Sequence, residues 1–265
     1  MTLIRSVLVT LATATESITR AAWWSESSLA NARSLAMVFD RESRRHNVYR
    51  EGNLLMSEAQ LEFYFEVARA PWIKTICETG FNAGHSAAVF LNANPQARVV
   101  SFDLGQFDYT LRNLRLMKDL FPERFDYVLG DSYFSIIDAI SADPTLRCDL
   151  IAIDGTHDRE GVFADLTNFK KIANCRNFIL ADDTGFAEVN AAWQQAKDAQ
   201  MIFQSHCMVD LHANSHWLLF NTKIHSRSWC LGWYNQTVTG QESECPPWLD
   251  ESRNPNTNVT KCDIL

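Results

Sequence analysis

The feature that most constrains the fold is a regular alternation of short apolar runs and helical segments between about residues 57 and 220. Two of the runs, LIAI and FILA, are apolar at every position, which is typical of strands covered on both faces in a central parallel sheet. Strands that alternate with helices of this length pair in parallel through right-handed crossovers. The predicted strands are Ile73–Cys77, Arg98–Phe102, Asp126–Leu129, Asp149–Ile153, Phe178–Ala181, Ile202–Cys207 and His216–Phe220.

The last two predicted strands are joined by a short polar segment, LHANS, which indicates an antiparallel pair. The sequence therefore predicts an α/β fold: a doubly wound, Rossmann-like, mostly parallel seven-stranded sheet with a C-terminal antiparallel β-hairpin. We expect an N-terminal helical extension over residues 1–56, the sheet domain over residues 57–223 and an aromatic and polar tail over residues 224–265. The predicted helices are Ala87–Leu91, Tyr109–Leu120, Phe134–Ile140, Gly161–Ile172 and Phe186–Ala199.

Composition narrows the range of partners. Apolar residues make up 46% of the chain and charged residues 21%, which excludes a disordered or fibrous chain. The 24 Lys and Arg against 32 Asp and Glu give a formal charge of −8, and because no dense basic stripe offsets it we expect no nucleic-acid partner. No apolar run approaches the roughly 20 residues that a membrane span needs.

The cysteines and the first residues bear on the compartment. Seven scattered cysteines without a CxxC pair predict free, mostly buried thiols and argue against a thiolate zinc site. The opening MTLIRSVLVTLATATES fits a short signal peptide and an amphipathic helix equally well, and the sequons at Asn235 and Asn258 indicate an oxidising compartment as one alternative. We expect a cytoplasmic protein and keep the secretory pathway as the alternative.

The loop after the first predicted strand has the spacing of a ligand-binding turn. It reads ETGFNAGHS from Glu78 to Ser86, so Gly80 and Gly84 let the backbone approach a ligand. Asn82 stands where a dinucleotide site has its middle glycine, which favours a small carboxylate-bearing ligand over NAD. A glycine turn that only packs a helix remains the alternative.

Polar residues also follow the next two predicted strands. Asp103 ends the second strand, 25 residues after Glu78, where an acidic side chain can accept hydrogen bonds from both ribose hydroxyls. Asp131 and Ser132 follow the third strand and could reach an adenine amino group, although GDS is also a common helix-capping turn.

Three carboxylates follow the fourth and fifth predicted strands. Asp154 comes after the fourth, and Asp182 and Asp183 come after the fifth. Without a counter-charge such a cluster raises its own pKa values, and a hard divalent cation such as Mg²⁺ resolves this. For Asp182 and Asp183 taken alone, an N-cap of the next helix is the alternative.

In combination, the stretch from Glu51 to Phe220 resembles the class I S-adenosylmethionine-dependent methyltransferases. Within them it is similar to the metal-dependent O-methyltransferases that include catechol O-methyltransferase and the macrocin-type sugar methyltransferases. The motifs that carry the resemblance are, in order, ICETGFNAGHS, SFDLG, VLGDS, IAIDGTH and LADDT.

The resemblance implies S-adenosylmethionine as cofactor, a divalent cation and a small-molecule hydroxyl acceptor of the catechol or sugar type. It implies that Gly80 and Ser86 hold the methionine moiety, Asp103 the ribose, and Asp131 and Ser132 the adenine. The expected cofactor-binding residues are Glu78, Gly80, Asn82, Gly84, Ser86, Asp103, Asp131 and Ser132. The expected metal ligands are Asp154, Asp182 and Asp183.

Two positions depart from the catechol enzyme, which has Asn where Asp183 stands and Lys where His157 stands. Transfer from a sulfonium needs an oxygen nucleophile held near the methyl carbon, and Asp154 would serve this through the metal. His157 could accept the hydroxyl proton, because imidazole titrates near neutral pH. A structural role for His157 remains the alternative.

Two other functions are compatible with a sheet of this kind. One is a catalytically inactive binding module that keeps the cofactor fold, although an inactive site has no reason to keep three clustered carboxylates. The other is a nicotinamide-dependent oxidoreductase, which the Asn82 spacing, the terminal hairpin and the lack of a Tyr-x-x-x-Lys pair make a poorer fit.

Overall fold

The computed structural model describes residues 27–46, 53–211 and 227–236. Seven strands form one sheet in the order β3-β2-β1-β4-β5-β7-β6, in which the pairs among β1 to β5 are parallel and β7 is antiparallel to both of its neighbours. The strands are β1 Thr75–Thr79, β2 Arg98–Asp103, β3 Phe125–Leu129, β4 Cys148–Ile153, β5 Ala173–Asp182, β6 Ile202–Asp210 and β7 Arg227–Tyr234.

Seven α-helices cover the sheet in the described part of the chain, and a short 3-10 turn at Leu54–Met56 precedes the second of them. None of these helices is long and apolar enough to cross a bilayer. The helices are α1 Leu29–His46, α2 Glu58–Ala68, α3 His85–Ala93, α4 Asp108–Leu120, α5 Ser132–Ala142, α6 Arg159–Lys170 and α7 Ala187–Asp198.

The predicted fold class is confirmed. Six predicted strands and five predicted helices are present, and all but one of them lie within a few residues of their predicted bounds. The exception is β5, which begins five residues earlier than predicted. The strand that pairs with β6 is not the one predicted from the sequence. His216–Phe220 lies outside the described residues, and the strand that pairs with β6 is Arg227–Tyr234, in the segment predicted to be a tail. The mostly apolar run SWCLGWY fits this position, because β7 lies between two strands and is largely buried. The predicted boundaries at residues 56 and 223 stay predictions.

Helix α1 packs directly on the sheet domain. Ala32, Leu35, Ala36 and Phe39 on one side of it are fully buried in the same apolar cluster as α3. Its C-terminal part is also bonded to α4, because the Asn113 amide donates to the Phe39 carbonyl oxygen at 3.2 Å. The helix therefore belongs to the core that supports the loop after β1.

The expectation of free cysteine thiols is wrong for five of the seven. Cys77 in β1 is bonded to Cys148 in β4, and Cys207 in β6 is bonded to Cys230 in β7. Cys175 is also disulfide-bonded. Spacing along the chain hides these pairs, because neighbours in the sheet come from distant parts of the sequence: Cys77 and Cys148 are separated by 71 residues.

Candidate active site

The loop between β1 and α3 needs glycine at two positions. Gly80 has φ 84° and Gly84 has φ 89°, both in the left-handed region. A Cβ on Gly80 would lie 1.8 Å from the backbone oxygen of Asp154, and a Cβ on Gly84 would lie 2.6 Å from the Phe81 ring. The first N–H groups of α3 receive no side-chain cap from Gly84, which leaves them for an anion. The need for glycine at both positions is confirmed, and the role of the turn in ligand binding stays a prediction.

Glu78 joins this loop to the neighbouring strand. Its carboxyl group is 1% exposed and accepts hydrogen bonds from the Ser86 hydroxyl at 2.7 Å and the Ser101 hydroxyl at 2.5 Å. Burial raises the pKa of Glu78 to about 7, and the two hydroxyls only partly offset this. A nearby positive charge would favour the ionised carboxylate.

Asp103, at the end of β2, holds the other side of the loop. One carboxylate oxygen accepts the Asn82 backbone N–H at 2.8 Å, and the other accepts the Gly105 N–H at 2.7 Å. The Asn82 side chain is fixed in turn by the Tyr109 hydroxyl, which donates to its Oδ1 at 2.7 Å. Since each carboxylate oxygen can accept a second hydrogen bond, Asp103 remains able to bind a ligand.

Asp131 and Ser132 lie at the start of α5. Asp131 is exposed and caps the helix, with its Oδ1 accepting the Tyr133 N–H at 2.9 Å, so the helix-capping reading of GDS is confirmed for this residue. Asp165 of α6, which sequence reasoning missed, is fully buried nearby. Burial raises the pKa of Asp165 to about 6, partly offset by the Ser132 and Thr79 hydroxyls. No pattern in the sequence distinguishes Asp165 from an ordinary helix-surface acid.

The ends of β4 and β5 bring Asp154, His157 and Asp183 together. His157 Nε2 lies 3.2 Å from Asp183 Oδ2 and 3.9 Å from Asp154 Oδ1. One potential ligand atom from each of the three residues lies within 4.8 Å of the others. The strands meet as expected, because β4 and β5 are parallel neighbours and both end at this edge.

Asp182 is turned toward α2 instead. Its Oδ1 accepts hydrogen bonds from Gln60 Nε2 at 2.6 Å and from the Asp183 backbone N–H at 2.7 Å. Burial, followed by the charges of Asp154 and Asp183, raises the pKa of Asp182 well above its ordinary value. Asp182 therefore lies beside the group of ligand atoms, and its predicted role as a metal ligand stays a prediction.

Arg227, the first residue of β7, supplies a positive charge that sequence reasoning missed. Its Nη1 lies 3.3 Å from Asp183 Oδ1, and both side chains are only 13% exposed. Burial raises the pKa of Asp183, but the hydrogen bond from His157 and the charge of Arg227 outweigh it and hold that pKa below its ordinary value. The sequence signal that could have revealed this residue is an arginine directly before the apolar run SWCLGWY. Both lie in the segment that the sequence predicts to be a tail.

The two carboxylates also act on His157. Hydrogen bonds to Asp154 and then to Asp183 raise the pKa of His157 to about 10, against the opposing effect of burial. The imidazole is consequently protonated at neutral pH in this arrangement. Its ring lies against that of Phe186, with 5.2 Å between the centroids.

A divalent cation fits this group of residues. Carboxylates are common ligands of such ions, and one oxygen of Asp154 and one of Asp183 lie close enough to share one. The imidazole of His157 could join them only in its neutral form. Arg227 contacts Oδ1 of Asp183, whereas Oδ2 faces His157 and remains within reach of a cation. Asp154, half-exposed at the end of β4, offers a second carboxylate.

Comparison with known proteins gives a match to a family model over part of the chain and a likeness of fold. Residues 77–184 match the family model described as a methyltransferase domain. No protein of curated function matches the chain in sequence.

One similar solved structure is the O-methyltransferase TomG of Streptomyces achromogenes, which is involved in tomaymycin synthesis and was solved with S-adenosylmethionine. TomG is 14% identical to this chain, with a TM-score of 0.58, and the match covers 77% of this chain and 89% of TomG. The Bacillus cereus O-methyltransferase, solved with S-adenosylhomocysteine, is 13% identical with a TM-score of 0.57, over 77% of this chain and 90% of that one. At these identities the likeness is one of fold.

Proposed function

We propose that the chain is a methyltransferase of the class I fold that transfers a methyl group from S-adenosylmethionine to a hydroxyl group of a small molecule. One observation carries the proposal. The glycine loop and the Asp154–His157–Asp183 group lie at the same edge of the sheet, and the Gly80 position is in direct contact with the Asp154 backbone. A donor bound at the first would therefore lie next to an acceptor bound at the second.

The ends of β1, β2 and β3 bind the cofactor in this proposal. The glycine loop and the N-terminus of α3 hold the methionine carboxylate, and the buried Glu78 lies near the positive groups of the same moiety. Asp103 accepts hydrogen bonds from the ribose hydroxyls. The proposed cofactor-binding residues are Glu78, Gly80, Asn82, Gly84, Ser86, Asp103, Asp131 and Ser132.

The ends of β4 and β5 hold the acceptor. We propose that a divalent cation, Mg²⁺ or a similar ion, is held there by Asp154, Asp182 and Asp183; when bound, such an ion positions acceptor oxygens and lowers the pKa of a hydroxyl group. The positions of Asp154 and Asp183 on either side of His157 support this, because displacement of His157 would free Oδ2 of Asp183, the oxygen that Arg227 does not contact.

His157 is the proposed general base. Because Asp154 and Asp183 raise its pKa to about 10, His157 can accept a proton at neutral pH only when those carboxylates are no longer paired with it. Its Nε2 would then take the acceptor's proton, while the ring stays against Phe186. Vicinal oxygen donors such as catechols and sugars suit a site of this kind.

The disulfides favour one of the two compartments left open by the sequence. Bonds such as Cys77–Cys148 and Cys207–Cys230 persist in oxidising compartments and are rare in the cytosol. We therefore propose that the chain folds in the secretory pathway. A peptide map of protein purified from its natural source without reductant should contain both linked pairs; unlinked peptides would contradict the proposal.

A transfer assay tests the function. Purified chain is incubated with S-adenosylmethionine labelled in the methyl group and a panel of catechols, sugars and related diols, with Mg²⁺ or after treatment with a chelator. We expect label in at least one acceptor with Mg²⁺ and much less after chelation. Equal transfer after chelation would contradict the metal role, and the absence of label in every acceptor, with and without Mg²⁺, would contradict the reaction class.

A further inference from the structure

Arg227 reaches the acidic group because of the direction of its strand. Parallel strands bring their C-terminal ends to the site edge, and an antiparallel strand brings its N-terminal end there instead. β7 is antiparallel to β5, with Asp182 opposite Trp229, so Arg227 lies just beyond the end of β5. The sheet topology thus places one arginine beside three aspartates.

The guanidinium group is fixed on two sides. Nη1 contacts Asp183 Oδ1 at 3.3 Å, and Nη2 lies 3.5 Å from the Asn53 backbone oxygen and 4.0 Å from the Met56 sulfur. The side chain is only 13% exposed, so moving it away would leave a buried carboxylate without this partner. Arg227 is therefore part of the assembled site and not a surface charge that swings into it.

The two oxygens of Asp183 have different partners. Oδ1 faces Arg227 and Oδ2 faces His157 at 3.2 Å. Asp183 also has φ 51°, a left-handed conformation that is unusual for a residue other than glycine. Contacts on both oxygens hold the carboxylate in one orientation, with Oδ2 toward the Asp154 side.

We propose, on the basis of the proposed function, that Arg227 is a positioning residue that acts as a permanent counter-charge: it orients Asp183, keeps the acidic group assembled without a metal ion, and weakens the binding of a divalent cation. A fixed positive charge a few ångströms from a cation site repels the ion, and partial burial limits the screening of that repulsion by solvent. The metal would therefore bind weakly to the protein alone.

The test measures binding of Mn²⁺ alone by electron paramagnetic resonance in wild type, Arg227→Met and Arg227→Lys. We expect Arg227→Met to bind Mn²⁺ about tenfold more tightly than wild type, because a positive charge has been removed from the site. Arg227→Lys keeps the charge and should stay within about twofold of wild type. Arg69→Met, which removes an exposed arginine paired with Glu66, is the matched control and should change nothing.

Circular dichroism and the melting temperature report whether each variant is folded, independently of cofactor binding. Should Arg227→Met fail this check, Arg227→Gln, which keeps a hydrogen-bond donor for Asp183, takes its place with the same expected gain. Unchanged or weaker Mn²⁺ binding in a variant that is folded by these measurements overturns the proposal. If wild type binds no Mn²⁺ but the variant does, the counter-charge role stands and the metal role in the proposed function fails.

Discussion

The ends of β1, β2 and β3 and the ends of β4 and β5 are held in place by different kinds of contact. In the first region, the cofactor half, Glu78 is bonded to Ser86 eight residues away and Asp103 to Asn82 21 residues away. In the second, the acidic half, Asp182 is bonded to Gln60 122 residues away, and Arg227 to Asp183 44 residues away.

This difference in sequence separation explains which part of the site can be predicted from the sequence. Contacts in the cofactor half join a loop to its own strand and to the next parallel strand, so a motif in one stretch contains most of what the geometry needs. Charge in the acidic half is balanced by residues from α2 and β7, far away in the chain. Substitutions in the two halves should therefore separate cofactor binding from catalysis.

The largest expected effect is that of Asp154→Asn. Loss of this carboxylate removes a proposed metal ligand and one of the two partners of His157, so we expect kcat to fall on the order of 10³-fold. The Kd for S-adenosylhomocysteine should stay within about twofold of wild type. Steady-state kinetics and calorimetry on the same preparation measure both, and a large loss of cofactor affinity would mean that the two halves are not separable.

Replacement of the proposed base should have the next largest effect. His157→Gln keeps a polar side chain of similar size but cannot accept a proton, so kcat should fall about 10²-fold with little change in KM. His206→Gln, which replaces a histidine of β6 that packs edge-on against Phe63, is the matched control. A pH–rate profile of the two variants checks the assignment, since an unchanged rate in His157→Gln would remove His157 from the reaction.

Gly80→Ala tests a place where the two halves touch closely. The added Cβ would meet the Asp154 backbone oxygen, and φ 84° is strained for alanine by about 1–3 kcal/mol. We expect cofactor affinity to fall roughly 10- to 100-fold and kcat to fall as well. Gly130→Ala is the control, because φ is also positive there but the nearest atom is 3.7 Å from the added Cβ. Equal losses in both variants would mean that strain alone matters.

The smallest expected effect is a pH dependence in the cofactor half. Burial raises the pKa of Glu78 to about 7, and the sulfonium and ammonium groups of S-adenosylmethionine favour its ionised form. Binding should therefore release a proton below pH 7, and the Kd should fall about tenfold between pH 6 and pH 8. Calorimetry at several pH values measures this. Glu78→Gln should bind with a Kd that does not vary with pH, and a flat wild-type profile would argue against contact with these groups.

The sequence was sufficient for the sheet as far as β6 and for the backbone conformation of the loop after β1. Apolar runs such as LIAI marked buried strands, and the glycines of the Glu78–Ser86 loop marked a backbone conformation that their φ angles confirm. The position of Asp154 beside Asp183 followed from β4 and β5 ending at the same edge.

The rest depended on how distant segments pair. The strand that pairs with β6 lies in the segment that the sequence predicts to be a tail, so Arg227 receives no predicted role and a cation is the only counter-charge expected for the carboxylates. Cys77 and Cys148 carried no spacing signal, because a disulfide between sheet neighbours follows strand order rather than sequence distance. Asp165 and Gln60 gave no signal either, since each becomes distinctive only when the neighbouring element buries it.

The most direct test of the central claim is a calorimetric titration of the folded chain with S-adenosylhomocysteine, with Asp103→Asn titrated in parallel. We expect saturable binding at a single site in wild type and weaker binding in the variant, because Asn lacks one acceptor for the Asn82 and Gly105 N–H groups. No binding to wild type at about 1 mM ligand, with circular dichroism indicating a folded chain, would contradict the claim.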